Sequence, residues 1–155
     1  MIVESAIPAV DSPCEAQVIP VDAGGMPVAN IDTANTSRFA AAAQATARQV
    51  GARQSLLIPS GLVHPRWLAL IPTTQPDSTR PRLSAVLRGL ADLRDELVAH
   101  DVGSASIPMD ALTPGAISPD LVRAAISALY ADSLIEVWIH AHAVARTRRA
   151  VRQPI

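Results

Sequence analysis

The sequence predicts one compact α/β domain in three layers, with a mostly parallel or mixed central sheet and helices on both faces. Apolar segments of strand length alternate with segments of helical periodicity, as expected when helices connect neighbouring parallel strands. Most of the apolar segments are continuous rather than alternating, which is typical of strands covered on both sides. At 155 residues the chain is long enough to bury one hydrophobic core.

The sequence predicts six strands and three helices. The strands are predicted at residues 2–7, 16–21, 55–59, 68–72, 104–108 and 135–140. The helices are predicted at about residues 37–50, at about 81–100, and from Ser118, where a capping serine precedes Pro119. In the second helix, an apolar stripe marks the buried side, formed by Leu83, Val86, Leu87, Leu90, Leu93, Leu97 and Val98. In the third, the side chains expected to point inward are Leu121, Val122, Ala125, Ile126 and Leu129.

The composition excludes several classes of protein and site. Hydrophobic residues make up 49% of the chain and charged residues 17%, which does not fit a disordered chain. Cys14 is the only cysteine, which excludes an internal disulfide, and we expect it to be a small apolar core residue. All 13 basic residues are arginine, so no lysine is available for a Schiff base or for phosphate binding.

Basic charge is concentrated at the end of the sequence. Arg146, Arg148, Arg149 and Arg152 follow a body with nine arginines and fourteen acidic residues. We divide the chain into a domain at residues 1–143 and a basic tail at 144–155. The tail either contacts a protein partner or nucleic acid, or is a solvated terminus. Neither a membrane-spanning segment nor a secretory signal is recognisable, so we expect a cytoplasmic protein. The arginine- and alanine-rich composition suggests an actinobacterial or phage source, and a phage protein could be virion-associated.

Three predicted loops follow strands and converge on one edge of the sheet. They span residues 22–36, 73–80 and 109–119, and parallel α/β sheets bind ligands at this edge. Asp22, Asp32 and Asp110 could in principle approach a cation there, but carboxylates in loops are more often solvated or cap helices, and we expect no metal. His140 and His142 are also spaced for metal ligation, but no third ligand is evident, so we interpret them as a surface pair.

The order of the segments resembles that of macro domains, particularly the DarG-type antitoxin branch that reverses DNA ADP-ribosylation. The similarity covers about residues 1–141. It rests on residues 15–22, with Val21-Asp22 at their end, on residues 70–73 followed by Arg82-Leu83, and on residues 106–108 followed by Gly115. The resemblance implies a macro fold and a ligand of the ADP-ribose type.

The same resemblance implies that much of the family's ligand-binding chemistry has been lost. Where the family has an asparagine that orients the distal ribose, this chain has Asp22, and where it has a lysine implicated in bond cleavage, it has Thr74. In the segment that resembles the glycine-rich phosphate loop, residues 110–116, Pro114 lacks an amide and Asp110 adds a negative charge. The candidate ligand-binding residues are Asp22, Gly24, Gly25, Thr73, Thr74, Asp110, Thr113 and Gly115.

Three functions remain open at this point. The first is weak binding of ADP-ribose or a related nucleotide without turnover, and the second is reuse of the scaffold as a protein-interaction or assembly module. The third is an active ADP-ribosyl glycohydrolase or antitoxin acting on modified DNA or protein, with Asp22 as its candidate acid or base. Because the family's lysine and asparagine are both replaced, we favour a protein without catalytic activity. No cofactor is expected.

Overall fold

The computed structural model describes residues 1–22, 56–61, 63–74 and 80–143. The predicted helix at 37–50, Gly24, Gly25 and the basic tail at 144–155 lie outside these ranges.

The described strands form one six-stranded mixed sheet. The strands are β1 (Ile2–Ser5), β2 (Ala16–Val21), β3 (Leu56–Pro59), β4 (Trp67–Pro72), β5 (Ser104–Pro108) and β6 (Glu136–His140), in the order β1-β6-β5-β2-β4-β3. Every neighbouring pair is parallel except β3 and β4. All six predicted strands are therefore confirmed to within two residues at each end.

Three helices lie within the described residues: α1 (Leu83–Ala99), α2 (Met109–Leu112) and α3 (Pro119–Tyr130). A 3-10 turn, Ala9–Asp11, follows β1. None of the described helices has the length and apolar character needed to cross a membrane. The α/β architecture that the sequence predicts is confirmed.

Helices α1 and α3 pack on the same face of the sheet, where the larger part of the core lies. Val86, Leu90 and Leu97 of α1 are completely buried in it. The Tyr130 hydroxyl donates a hydrogen bond of 2.6 Å to the Leu90 carbonyl and so joins α3 to α1. On the opposite face a second cluster is buried, formed by Ile19, Val21, Ile58, Leu68 and Leu70.

Two residues predicted to point inward are instead exposed. Val98 is 65% exposed and Leu121 is 54% exposed. Val98 follows the completely buried Leu97, and Leu121 precedes the completely buried Val122. Side chains of successive residues in a helix differ in direction by about 100°. The stripe of α1 is therefore narrower than the spacing of its apolar residues predicts.

The start of α3 confirms the predicted cap. The Ser118 hydroxyl accepts a hydrogen bond from the Leu121 amide at 3.4 Å, and Pro119 is the first helical residue. Upstream, the segment predicted as a loop at 109–119 begins with the single turn of α2. Both the amide and the hydroxyl of Thr113 donate to the Met109 carbonyl, at 3.0 and 2.5 Å, and these bonds close that turn.

Candidate functional site

The carboxyl ends of four adjacent parallel strands form one edge of the sheet, which we call the carboxyl rim. In spatial order these strands are β6, β5, β2 and β4. The three candidate segments beginning at Asp22, at Thr73 and after Pro108 leave β2, β4 and β5, so the strand order places their starting points side by side. The segment that follows β6, residues 141–143, leaves from the same rim.

Asp22 and Thr73 are held next to each other by the pairing of β2 with β4. The last paired residues are Val21 and Pro72, and Asp22 and Thr73 follow them directly. Both the amide and the hydroxyl of Thr73 donate to the Val21 carbonyl, at 2.9 and 3.2 Å. Thr73 is completely buried and Asp22 is half-buried. Thr73 therefore fixes the backbone from which the Asp22 side chain projects.

Thr74 is buried beside the start of α1. It forms an antiparallel bridge with Pro81, and the Thr73 carbonyl accepts from the Arg82 amide at 2.9 Å. The Thr74 side chain is only 5% exposed, and its hydroxyl oxygen has no hydrogen-bond partner among the described residues.

Asp110 joins the ends of β5 and β6. One of its carboxylate oxygens accepts hydrogen bonds from the Ala111 amide at 2.7 Å and from the Ala143 amide at 2.9 Å. The other oxygen lies 3.4 Å from Nδ1 of His142, and the Asp110 amide donates to the Ala141 carbonyl at 3.2 Å. The carboxylate that the sequence places in a phosphate loop is therefore bound to backbone amides of its own chain.

The segment after α2 turns tightly at Gly115. This residue has a φ of +64°, and the Ile117 amide donates to the Pro114 carbonyl at 3.4 Å across the turn. A Cβ atom at Gly115 would meet no other atom within 4 Å, so the positive φ rather than close packing favours glycine here. Gly115 is exposed, while Thr113 is half-buried and bonded to Met109.

His140 ends β6 and is completely buried, so its interpretation as part of a surface pair was wrong. Its Nδ1 atom lies 2.8 Å from the Ile7 carbonyl oxygen, whereas Nε2 is buried and has no hydrogen-bond partner in the part of the chain that the structure describes. Burial lowers the pKa of His140 below its usual value of 6.5, against a smaller opposite effect of the Ile7 hydrogen bond. One feature of the sequence could have predicted this burial: His140 ends an apolar strand, and that strand lies inside the sheet.

The described residues support neither a metal site nor a reactive thiol. Within the described ranges, no three His, Cys, Asp or Glu side chains are grouped so that they could hold a metal ion, and Asp32 lies outside these ranges. Cys14 is 3% exposed, and burial raises the pKa of its thiol above the usual 9.0. A buried thiol of raised pKa is a poor nucleophile, which agrees with its predicted role in the core.

Comparison with solved structures identifies the architecture. The macro domain of Thermus aquaticus DarG has a TM-score of 0.71 and 26% sequence identity, with 90% of this chain and 97% of that chain covered. The macro domain of Mycobacterium tuberculosis DarG has a TM-score of 0.70 and 16% identity, with the same coverage.

A third similar structure contains a bound ligand. Thermosipho africanus DarTG, in complex with ADP-ribose, has a TM-score of 0.65 and 15% identity, and the similarity covers 83% of this chain and 38% of that one. No protein-family model matches the sequence, and no curated protein matches it. The strand order and the similarity along nearly the whole length of the two DarG macro domains agree: the chain has the macro-domain fold and is similar in structure to the macro domains of DarG.

Proposed function

We propose that this macro domain binds ADP-ribose or a related nucleotide weakly at its carboxyl rim and does not release ADP-ribose from modified DNA or protein. The observation that carries the proposal is the bonding of the Asp110 carboxylate to the Ala111 and Ala143 amides. The similar DarTG structure contains ADP-ribose, which supports this class of ligand for the fold.

The ends of β2 and β4 form one wall of the proposed site. Thr73 fixes the backbone beside Asp22 through two bonds to the Val21 carbonyl, so the Asp22 side chain starts from a rigid position. A carboxylate on such a support can accept hydrogen bonds from ribose hydroxyls without a large entropic penalty. This wall supports retention of the ribose-binding part of the site.

In the proposed site, we expect the binding of the phosphate groups to be weakened. Free backbone amides bind phosphate oxygens, but the Ala111 amide already donates to the Asp110 carboxylate and Pro114 has no amide proton. The fixed negative charge of Asp110 would also repel a diphosphate. We therefore expect ADP-ribose to bind with a Kd on the order of 1 mM.

Residue 74 does not provide the chemistry needed for bond cleavage. The Thr74 hydroxyl is buried, and no group within the described ranges bonds to it or is placed to remove its proton. A threonine hydroxyl becomes a useful nucleophile or base only beside such a group. Asp22 stays the candidate acid or base, and the position of Thr74 supports a binding protein over a hydrolase.

A calorimetric titration with ADP-ribose tests the binding proposal. We expect weak binding to the wild-type protein and about three- to tenfold tighter binding to Asp110→Asn, because this variant removes the charge and keeps an oxygen acceptor for the two amides. Asp101→Asn is the matched control, because Asp101 is exposed at the opposite edge of the sheet and its φ of 54° is tolerated by asparagine. Its affinity should equal that of the wild type.

Two results would contradict the proposal in different ways. Equal affinities of the wild type and Asp110→Asn would show that Asp110 does not limit phosphate binding. No heat and no rise in melting temperature at millimolar ADP-ribose, for either protein, would exclude the ligand and favour the interaction module.

A release assay with ADP-ribosylated DNA separates a binder from an enzyme. We expect no release of ADP-ribose by the wild-type protein above the rate without protein. Release that disappears in Asp22→Ala would establish the alternative, an active glycohydrolase with Asp22 as its acid or base.

Deletion of residues 146–155 tests the basic tail as an interaction segment. If Arg146, Arg148, Arg149 and Arg152 contact an acidic partner or nucleic acid, the full chain should bind a short DNA duplex at low salt and the truncated chain should not. Identical binding by both chains would leave the tail without such a role.

A further inference from the structure

The parallel strands begin at the edge of the sheet opposite the carboxyl rim, and we call this edge the amino rim. It is formed by residues 12–15, 60–61 with 63–67, 94–103 and 131–136. Glu15 joins three of these segments, because its carbonyl accepts from the Trp67 amide at 3.0 Å and its carboxylate from the Gly103 amide at 3.1 Å. The Gly103 carbonyl accepts from the Glu136 amide at 2.9 Å, so the fourth segment belongs to the same surface.

Large apolar side chains project from the amino rim into solvent. Val63 and Leu134 are fully exposed, and Val98 is largely exposed. Leu134 follows a closed turn, since the amide and the hydroxyl of Ser133 both donate to the Tyr130 carbonyl, at 3.1 and 2.9 Å. One exposed apolar side chain is ordinary in a globular protein, but three at one edge of the sheet indicate a surface that a partner covers.

The amino rim is also acidic. Its four segments contain two arginines, Arg66 and Arg94, and six acidic residues. The acidic residues are Glu15, Asp95, Glu96, Asp101, Asp132 and Glu136. Complementary charge selects the partner of a surface, so this one fits a segment that is basic and also carries apolar side chains.

The basic tail, residues 144–155, is a segment of this kind. It lies outside the described ranges and combines four arginines with three apolar residues, Val144, Val151 and Ile155. Arginine can bind a carboxylate through two parallel hydrogen bonds. From Arg146 to Arg152 an extended chain spans up to about 20 Å. Val63 and Leu134 precede β4 and β6, which are three strand spacings or about 14 Å apart, so the tail has the charge and the length to cover both.

The start of the basic tail is fixed at the carboxyl rim, away from this surface. The Ala143 amide donates to the Asp110 carboxylate at 2.9 Å, and the Ala143 carbonyl accepts from the Val10 amide at 3.1 Å. To reach the amino rim of its own domain, the tail would have to return along the strands, over about 17 Å. Arg146 is three residues beyond Ala143, about 10 Å at full extension, and cannot complete that return. All four arginines can reach the amino rim of a second copy stacked against the carboxyl rim.

We propose that the basic tail of one copy of this chain docks on the amino rim of a second copy. The four arginines pair with carboxylates of the rim, and the apolar residues of the tail cover Val63 and Leu134. Because the two surfaces differ and lie at opposite ends of the domain, the contact is head to tail and does not close after two copies. This contact goes beyond the proposed function and does not require ADP-ribose.

Sedimentation velocity at increasing protein concentration tests the assembly. In low salt we expect the average mass of the wild-type chain to rise beyond that of a dimer, and high salt should return it towards the monomer by screening the ion pairs. A full-length variant with glutamine at positions 146, 148, 149 and 152 should stay monomeric.

A pair of variants tests the amino rim in the same measurement. Leu134→Arg should weaken association at least about tenfold, because it removes an apolar contact and adds a charge that repels the tail. Ala124→Arg is the matched control, since it adds the same charge at an exposed position in the middle of α3. Its association should equal that of the wild type.

A synthetic peptide of residues 144–155 tests the occupant directly. Added to the variant with four glutamines, the peptide should shift the amide NMR signals of Gly103 and Leu134 and leave that of Ala124 unchanged. A peptide with glutamine in place of the arginines should bind at least about tenfold more weakly.

Each contrary result overturns the contact between copies. Association that survives the four glutamine substitutions, or that Leu134→Arg and Ala124→Arg weaken equally, would show that the tail and the rim are not its surfaces. A wild-type chain that stays monomeric while the peptide still binds would show that the tail docks on its own domain. No association and no peptide binding would reject the docking surface itself. Since ADP-ribose is absent from these measurements, their failure leaves the proposed function unaffected.

Discussion

Single side chains make the cross-strand and cross-helix connections of this domain, and Tyr130 is the clearest case. Its ring is completely buried between α3 and α1, and its hydroxyl bonds to the Leu90 carbonyl. Tyr130→Phe removes this bond and leaves the packing unchanged, so we expect the free energy of unfolding to fall by about 1 kcal/mol. Urea denaturation measures it, and an unchanged midpoint would show that the bond contributes nothing net.

Contacts of single residues also explain why the candidate site could be predicted only in part from the sequence. The residue types at positions 22, 74 and 110 are visible in the sequence, and so is the loss of lysine. The contacts that decide their chemistry are not, because Thr73 reaches Val21 across 52 residues and Asp110 reaches Ala143 across 33. No local pattern indicates that the Asp110 carboxylate is already bonded to amides of its own chain.

Secondary-structure elements were predictable where they are long and periodic or where a cap marks their start. Helix α1 lies within the predicted range of 81–100, and α3 begins at Pro119 as its cap predicts. The four residues of α2 are too few to show a period, and α2 is held by the burial of Met109 and Leu112 and by Thr113. Tertiary contacts rather than helical propensity therefore determine this element.

The start of α3 supplies a prediction at the scale of an element. Ser118→Ala removes the hydroxyl that accepts from the Leu121 amide, so one amide of the first turn loses its partner. We expect a loss of about 1 kcal/mol in the free energy of unfolding. Ser127→Ala, at an exposed position inside the same helix, should change stability by less than about 0.5 kcal/mol. Equal effects of the two substitutions in chemical denaturation would argue against capping.

At the scale of the whole molecule, the His140 ring joins the end of β6 to Ile7, which follows β1. This ring must stay neutral because it is buried. Protonation would place a charge on the completely buried His140 ring, which is why its pKa is lowered in the folded state. At a pH between the lowered pKa and about 6.5, the unfolded chain binds more protons than the folded one. Acidification through this range therefore favours unfolding.

This linkage predicts how the stability of the domain depends on pH. The contribution of neutral His140 should be complete above about pH 6.5 and should decrease steadily as the pH falls below it. His140→Asn has no titrating group at this position, so its stability should fall less steeply in acid, whereas other titrating groups affect both proteins equally. Melting temperatures of the two proteins between pH 8 and pH 4.5 measure the difference. Parallel curves over this range would mean that the His140 ring is not held neutral by burial.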